Sequence, residues 1–517
     1  MGIDNHATED TGMKLLQDIG RPLFVPQDHR ERRHLPGAVL DALRPEVLAN
    51  IEGFLAEPSA ESFWRLEERV LASFQLAASH VVAAVLVLVH RDRAWVQAAT
   101  DVARDMTGRR LRHRGQRTTP VRFLGGACLL IETPYLSEDL SRRPGSRRGV
   151  GRRGMTGTGC YPVLEALGIT NQATPALSSE VARQAVRAAS FQEARQALAE
   201  RGIALDEKTV RTLALKVGEE ALEHRHARIE AAASGGVCSD EFAGRRIVLS
   251  TDGGRVRLRE GGNRGRRGKK GRRRFRTPWR EPKLVTVYVI DAQGRRDRSV
   301  PVLYDGTLED ADAAFEILTA ELKLRGASRA REIILAADGA RWIWNRVDDL
   351  ARDLGLAPEK IVKVADFYHA VEHLTEVAEL RVRWTAAEQK RWVKRMRKHL
   401  KHGRVDTVIE AIRSLKRGRN ASKIGTELRY FEDRRDLMRY DVFRRRGIPL
   451  GSGAVESAIR RVVNLRLKGA SIFWRRKNAE RMLHLRCYLK AGRWDELMRR
   501  LLYRSRTTLQ ERTRDAA

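Results

Sequence analysis

The chain has 517 residues, of which 42% are hydrophobic and 32% are charged, and its net charge is +33. This length exceeds one ordinary core and predicts three or four folded units, while the excess of positive charge makes nucleic acid the expected partner. The polar N-terminus does not resemble a signal peptide, and the most apolar run, residues 81–89, is too short for a bilayer span of about 20 residues. We therefore expect a cytoplasmic protein without membrane contact.

The four cysteines are scattered, at Cys128, Cys160, Cys238 and Cys487. None belongs to a CxxC pair, which argues against a zinc ribbon. Their scatter favours reduced thiols in a cytoplasm-like compartment.

The first segments along the chain carry no recognisable chemistry. Residues 1–136 are predicted to form a mainly helical region, in which "VVAAVLVLV" at residues 81–89 is read as a buried helix. Residues 137–177 are rich in glycine, arginine and serine at their start. They are predicted to be a basic linker, either flexible or in contact with a DNA backbone.

Residues 178–240 have the pattern of a helical block. Helices are predicted at 178–189, 190–202 and 205–225, with Asp206 as the N-cap of the third. The connection through Gly202 and Ile203 is short, and two helices joined by a short glycine-containing turn form a helix-turn-helix. The alternative is a plain helical hairpin.

An α/β pattern begins near residue 241. Apolar strand-like runs end at Asp252 and Asp338, two further strands lie on either side of "DAQG" at 291–294, and helices alternate with the later strands. We predict a core in two parts, residues 241–369 and 447–500, separated by a charged helical insertion at 370–446. A basic tail, residues 501–517, follows.

Two carboxylates share a distinctive position in this core. Asp252 and Asp338 each end a hydrophobic run and each precede a glycine. Strand-end acids on neighbouring strands can converge, and an oxygen-only site suits Mg²⁺, or Mn²⁺ as its substitute, in phosphoryl transfer. Glu456, in "GIPLGSGAVESAIRRVV", begins a helix behind two glycines and is the predicted third acid. The alternative is that Glu456 only complements the helix dipole.

At these residues the sequence resembles the DDE-type transposases of bacterial insertion sequences, closest to the ISKra type. The likeness rests on "STDGG", "AADGARWIW", "VADFYHAVEHL" and the block from Gly447 to Arg486, and it covers roughly residues 177–497. It implies an RNase H-like catalytic core with a helical insertion, preceded by a mainly α region containing a helix-turn-helix. Many ISKra-type relatives carry a cysteine pair ahead of that block, where this chain has only Cys128 and Cys160.

The resemblance also implies roles for particular residues. Asp252, Asp338 and Glu456 match the three metal-binding acids, and Asp366 with His369 matches an Asp-x-x-His signature that follows the second acid. Asp366 either assists or replaces Glu456 as a ligand, or it holds the insertion against the core. His369 and His373 lie one helical turn apart but have no apparent third metal ligand, so packing or hydrogen bonding is the favoured role.

Basic side chains are candidates for DNA contact. Thirteen lysines and arginines lie between Arg255 and Arg280, interleaved with glycine. Trp474 either stacks on an unpaired base or belongs to the core. The tentative DNA-binding set is Arg211, Arg266, Arg267, Lys269, Lys270, Arg460, Arg466, Lys468, Trp474, Arg475 and Arg476.

The predicted function is that of a transposase that binds element ends and catalyses Mg²⁺-dependent cleavage and strand transfer, as a homodimer or higher oligomer on element and target DNA near the bacterial nucleoid. A nuclease or resolvase on the same core would stop after hydrolysis. A non-catalytic DNA-binding derivative would not need the acids, nor would a basic RNA-associated protein.

Overall fold

A computed structural model describes residues 14–15, 33–106, 111–138, 159–236, 238–261 and 275–502. The described residues are 59% helical and 16% strand, and the sheets are mixed. The α/β class predicted from the sequence is therefore confirmed. The chain divides into two compact units: residues 1–217 together with 496–517 form the first, and residues 218–495 form the second.

The first unit begins with three helices that follow one another closely. They are α1 (Leu35–Ala56), α2 (Ala60–Arg91) and α3 (Arg93–Met106). Helix α2 starts with a capping box, in which Ser59 and Ser62 each bond the other's backbone N–H. Ala83, Ala84 and Leu86 to Leu88 of α2 are buried, as predicted for that apolar run, whereas Val82 and Val85 remain exposed.

One described helix, α2, is long and apolar enough to cross a bilayer by length and composition. A third of its most apolar window is buried within the protein. Core helices of soluble proteins meet the same criterion, so this helix does not by itself indicate a membrane protein.

The first unit also contains two long strands that the sequence analysis did not anticipate. Strand β1 (Leu111–Arg122) pairs antiparallel with β2 (Cys128–Glu138). Most of β1 is solvent-exposed and basic, "LRHRGQRT", so it lacks the apolar alternation that marks a half-buried strand. Residues 14–15 and 159–160 pair with β2 as short strands.

The predicted linker, residues 137–177, is partly structured. Residues 139–158 lie outside the described residues, but α4 (Pro162–Ala166) and the start of the next helix follow them. The three helices predicted after the linker are present as α5 (Pro175–Arg187), α6 (Phe191–Ala199) and α7 (Glu207–Ala233).

The connection between α6 and α7 spans residues 200–206, which is longer than the turn predicted for a helix-turn-helix. Asp206 accepts a hydrogen bond from the Thr209 N–H at 2.9 Å, which confirms it as the cap of α7.

The second unit is built on a five-stranded mixed sheet. Its members in chain order are β3 (Arg246–Gly253), β8 (Lys283–Ile290), β9 (Leu303–Thr307), β10 (Glu332–Ala337) and β11 (Ile361–Ala365), and their spatial order is β9–β8–β3–β10–β11. Strand β8 runs antiparallel to both of its neighbours, β9 and β3, whereas β3, β10 and β11 are mutually parallel. Between β3 and β8 lies a hairpin of four short strands: β4 (Val256–Arg257), β5 (Glu260–Gly261), β6 (Phe275–Arg276) and β7 (Trp279–Arg280).

Helices cover this sheet. Helix α8 (Ala311–Leu324) packs on one face, where Phe315, Leu318 and Leu322 meet the apolar side chains of β3, β8 and β10. Two short helices, α9 (Arg341–Trp344) and α10 (Val347–Asp353), connect β10 to β11 and extend the same core. Apolar burial of this extent is the main stabilising term of the unit.

The predicted insertion consists of helices. They are α11 (Phe367–Glu379), α12 (Ala386–Lys401), α13 (Val405–Leu415), α14 (Ala421–Asp433) and α15 (Tyr440–Arg445). The chain then turns through Gly447 and enters α16 (Gly453–Ile459). A π-helical turn, Arg460–Asn464, follows α16, and the last helix of the unit is α17 (Arg476–Ala491).

Candidate active site

Three aspartates lie in one row across the parallel part of the sheet. Leu249, Leu335 and Lys363 are register partners on β3, β10 and β11. Three residues beyond these partners stand Asp252, near the end of β3, and Asp338 and Asp366, each one residue past the end of its strand. Because parallel strands share a direction, these residues emerge at the same edge of the sheet. The sequence predicted the strand-end positions of Asp252 and Asp338 and left the role of Asp366 open.

Asp252 is partly buried and lies near other negatively charged side chains. Burial raises the pKa of its carboxyl to about 6, and the charges of Asp338, Glu456 and Glu281 act in the same direction. The Gly253 N–H, which donates to the carboxylate at 2.6 Å, opposes this shift. The effect of Asp338 and Glu456 on the pKa of Asp252 indicates that the three predicted acids lie in one neighbourhood.

Asp338 is held by the short helix that follows it. Its carboxylate accepts a hydrogen bond from the Ala340 N–H at 3.0 Å, and its carbonyl oxygen accepts one from the Trp344 indole at 2.9 Å. The lack of a side chain at Gly339 allows Tyr430 of the insertion to pack against the end of β10, because a Cβ at Gly339 would lie 2.6 Å from the Tyr430 ring. Arg434 donates to the Gly339 carbonyl oxygen, which ties α14 to the end of β10.

Asp366 is buried and fully engaged in hydrogen bonds. One carboxylate oxygen accepts from the N–H groups of Tyr368 and His369 at 2.6 and 3.1 Å, which caps α11. The other oxygen accepts from both the N–H and the hydroxyl of Ser452, each at 2.5 Å. Asp366 therefore fastens the glycine-rich turn before α16 to the sheet, which favours the holding role over that of a metal ligand.

Glu456 lies in the first turn of α16. Partial burial raises the pKa of its carboxyl, and the negative charges of Asp366 and Glu372 raise it further. A hydrogen bond from Ser452 opposes the shift. A group that served only to complement a helix dipole would be stabilised in its charged form. The raised pKa instead reflects partial burial first and the neighbouring negative charges second, a combination often found at functional sites.

The helix that carries Glu456 is shorter than predicted. The sequence favoured one α-helix to Leu467, but the α-helical hydrogen bonding gives way after Ile459 to the π-helical turn. Such turns occur often at functional sites because they redirect side chains within a helix.

The two histidines of α11 are engaged with their neighbours, as favoured from the sequence. His369 Nδ1 lies 3.1 Å from Glu372, and His373 Nδ1 lies 2.6 Å from Glu427. The His373 ring stacks on Tyr430 at a centroid distance of 3.7 Å. Ligand atoms of His373, Glu376 and Glu427 lie within 4.8 Å of one another. The hydrogen bond and the stacking account for His373 without a metal.

Eight of the basic candidates for DNA contact fall into three groups. Arg460, Lys468 and Arg475 are exposed on the segment that follows Glu456. Arg211 is exposed on α7 and pairs with Glu207 at 2.6 Å. The remaining hairpin candidates, which lie outside the described residues, are Arg266, Arg267, Lys269 and Lys270.

Three other candidates are placed differently from the expectation. Trp474 is only 8% exposed, which removes the base-stacking role and leaves the core role. Arg466 is buried as well, with its guanidinium 4.9 Å from the Trp474 ring centroid. Arg476 is half exposed but binds both carboxylate oxygens of Glu309, at 3.0 and 2.8 Å. Its charge is therefore largely neutralised within the protein.

Several residues of the site were missed by the sequence analysis. Lys283 is paired with Glu281 and lies 4.7 Å from the Trp342 ring, next to the strand position of Asp252. The Tyr430 hydroxyl is buried without a hydrogen-bond partner among the described residues. Its pKa is raised by burial, with Asp366 and Asp338 adding to the shift. No local pattern marks these residues, because their proximity depends on the sheet order and on the insertion.

A large apolar cavity lies elsewhere. A cavity of about 620 Å³ in the first unit is lined by α2, residues 123–125 and the start of α5, and Arg201 is the one charged residue among its described lining residues. It contains no carboxylate for phosphoryl transfer, so we place the candidate chemistry at the aspartate row.

Comparisons with family models, curated proteins and solved structures find no match to this chain. The resemblance to ISKra-type transposases therefore stays a prediction.

Proposed function

We propose that the chain is a DDE-type transposase whose five-stranded sheet forms an RNase H-like core. The strand order supports this assignment: three antiparallel strands come first, the first of them is central, and two parallel strands follow on its other side. The observation that carries the proposal is the placement of Asp252 and Asp338 at one level on adjacent parallel strands, with Glu456 close enough to raise the pKa of Asp252.

The carboxylates of Asp252, Asp338 and Glu456 are the proposed metal ligands, and the donor set fits. All three offer oxygen atoms, the ligands that Mg²⁺ and Mn²⁺ prefer. Burial raises the pKa of Asp252, and the charges of Asp338 and Glu456 raise it further, so a divalent cation bound here would relieve that repulsion. The buried Tyr430 hydroxyl beside Asp338 is a further polar group that lacks a partner among the described residues.

Bound divalent cations would supply Lewis-acid activation of the attacking and leaving oxygens in phosphoryl transfer. The residues of the chain do the positioning. Asp366 and Ser452 fix the turn before α16 and therefore the start of the Glu456 helix. Trp344 and Arg434 fix the backbone at Asp338 and at the residue after it, through the carbonyl oxygens of Asp338 and Gly339. Positioning of this kind accounts for much of the catalysis in phosphoryl-transfer enzymes.

The basic charge of the chain supports DNA as substrate. Exposed Arg460, Lys468 and Arg475 follow Glu456 directly, so phosphates held by them would lie near the acids. We propose that helices α5 to α7 contribute to the recognition of element ends and that two copies act together, because two ends must be joined.

Strand transfer separates this proposal from hydrolysis alone. The purified full chain would be incubated in Mg²⁺ with a supercoiled plasmid and a labelled duplex taken from the DNA at the borders of its own element. We expect label to become covalently joined to the plasmid. Cleaved duplex without joined product would indicate a nuclease, and binding without either product would indicate a DNA-binding protein only.

A further inference from the structure

A two-stranded ribbon extends the sheet beyond Asp252. The Gly254 N–H donates to the Pro282 carbonyl oxygen at 2.8 Å, Arg257 is the register partner of Trp279, and Gly261 is the partner of Phe275. Trp279 is the register partner of Arg257, which is five positions past Asp252, so it lies at most about 17 Å further along the ribbon at about 3.3 Å per residue.

The segment that follows the Glu456 helix binds the same ribbon. The Trp474 N–H donates to the Arg257 carbonyl oxygen at 3.0 Å, and the Arg259 N–H donates to the Trp474 carbonyl oxygen at 2.6 Å. Trp474 itself is buried and serves as the anchor of this junction. The ribbon is therefore fixed to two elements that carry predicted acids.

Three aromatic side chains remain exposed on this junction. Trp279 is 45% exposed, Phe275 37% and Phe473 38%. Phe275 and Phe473 have ring centroids 5.0 Å apart, so they form one apolar surface. Large aromatic side chains left at a protein surface are typical of a site that receives a partner.

Arginines lie over these rings. The Arg257 guanidinium is 4.8 Å from the Trp279 ring centroid, and the Arg259 guanidinium is 4.1 Å from that of Phe275. Within the described part of the chain neither arginine forms an ion pair, whereas Arg280 is paired with Glu260. Arg257 and Arg259 therefore keep their charge available to an anionic partner.

We propose that Trp279, Phe275 and Phe473 form a stacking platform for unpaired bases of single-stranded DNA, with Arg257 and Arg259 holding the adjacent phosphates. Exposed aromatic faces next to arginine are the combination that binds single strands, because every base has a flat face and every nucleotide carries a phosphate. In a duplex the base faces are covered by their neighbours, so the platform selects unpaired nucleotides. This site does not depend on the acid chemistry, and either can fail without the other.

The test uses the full chain and two fluorescein-labelled probes, a thymidine 20-mer and a 20-base-pair duplex, in fluorescence anisotropy titrations at several salt concentrations. The variants are Trp279→Ala and the pair Phe275→Ala with Phe473→Ala. Trp64→Ala is the matched control, because Trp64 is 58% exposed on α2. Stacking on one base is worth enough for about a 10-fold change in affinity.

We expect each platform variant to bind the 20-mer about 10-fold more weakly, to bind the duplex within twofold of the wild type, and to keep the same salt dependence. Trp279→Phe should restore most of the loss, which excludes misfolding as the cause. Arg257→Ala should weaken both probes and reduce the salt slope by about one. Equal losses on both probes, or no loss on the 20-mer, would overturn the proposal.

Discussion

Asp252 and Asp338 stand at the same level on adjacent parallel strands, each three residues beyond the register partners Leu249 and Leu335. Each is followed by a glycine, and each carries its charge into the same neighbourhood, since Asp338 raises the pKa of Asp252. This relationship places two like charges close together, and their repulsion opposes folding. The proposed metal site would account for both carboxylates at this position.

The stability of the second unit should depend on the ionisation of Asp252. Its pKa in the folded protein is about 6, above the ordinary value of 3.8, so the folded state binds this proton more tightly than the unfolded state does. The resulting stabilisation is present below about pH 4 and is lost as the pH rises to about 6. In EDTA at pH 8, Asp252→Asn should therefore raise Tm by several degrees, because about 1 kcal/mol shifts Tm by about 2–4 °C in a unit of this size.

Thermal unfolding with and without Mg²⁺ checks this prediction. Wild type should be stabilised by Mg²⁺ at pH 8 and much less at pH 5, whereas Asp252→Asn should not respond at either pH. Asp291→Asn is the control, for which the expected change in Tm at pH 8 has the opposite sign. Hydrogen bonds from the Arg295 and Gln293 N–H groups help to hold the pKa of Asp291 below its ordinary value, so its charged form stabilises the fold. Equal Mg²⁺ stabilisation of wild type and Asp252→Asn would exclude Asp252 as a ligand.

The effects of substituting Asp366 and Ser452 should not add, because the two residues share hydrogen bonds. Removing either partner leaves a buried polar group unsatisfied, which costs about 1–3 kcal/mol. We expect Asp366→Asn and Ser452→Ala each to slow DNA cleavage by about 10- to 100-fold, the usual effect of losing a group that orients a metal ligand. The double variant should be little worse than either single one.

The Mg²⁺ dependence of cleavage distinguishes positioning from ligation. If Asp366 only positions the Glu456 helix, the half-saturating Mg²⁺ concentration should shift equally in both single variants. A shift confined to Asp366→Asn would make Asp366 a metal ligand and would place the Ser452 contacts in a minor role.

Gly339 should be intolerant of a side chain. A Cβ at this position would lie 2.6 Å from the Tyr430 ring, so Gly339→Ala must displace α14 or the end of β10. Overpacking of this kind costs about 1–3 kcal/mol. Denaturant unfolding and cleavage rates should both show the loss. Gly53→Ala is the matched control, because nothing lies within 4 Å of a Cβ there and alanine favours the helix by about 0.5–1 kcal/mol. Equal stability of the two variants would refute the close contact.

Asp305 should be essential for folding of the second unit rather than for chemistry. It is buried on β9, where it accepts hydrogen bonds from His484 at 2.9 Å and Arg225 at 3.2 Å, and these cations help to lower the pKa of its carboxyl. Asp305→Ala leaves two buried cationic partners uncompensated and should cost about 3–5 kcal/mol. The stabilisation by Asp305 is present above its ordinary pKa and is lost as the pH falls through the lower folded-state value.

Chemical denaturation of Asp305→Ala against Asp297→Ala checks this role. Asp297 accepts hydrogen bonds from Ser299 and pairs with Arg245, but it is only half-buried, so its loss should be mild. A mild effect at Asp305 would show that the buried network is replaceable.

The sequence allowed the strands of the five-stranded sheet to be predicted because these are apolar runs, whereas the four short strands β4 to β7 lie in a basic stretch without such runs. The runs before Asp252 and Asp338 are bounded by Asp-Gly, and the helical insertion follows from its charged 3.6-residue periodicity. The basic strand Leu111–Arg122 was missed, since most of its residues face solvent and show no alternation. The bond between Asp366 and Ser452 was missed as well, because it joins residues 86 positions apart through the sheet order. The burial of Trp474 could not be predicted either, because a tryptophan next to arginines is found both in cores and on basic surfaces.

The most direct test of the central claim is cleavage of a labelled duplex that carries the element's own end, by wild type and Glu456→Gln in Mg²⁺, with duplex binding measured in parallel. We predict that the variant binds as tightly as wild type and that its cleavage rate falls at least about 100-fold, as expected for loss of a group required in the transition state. Unchanged cleavage by Glu456→Gln would contradict the three-acid site and return Glu456 to the role of a residue that complements the helix dipole.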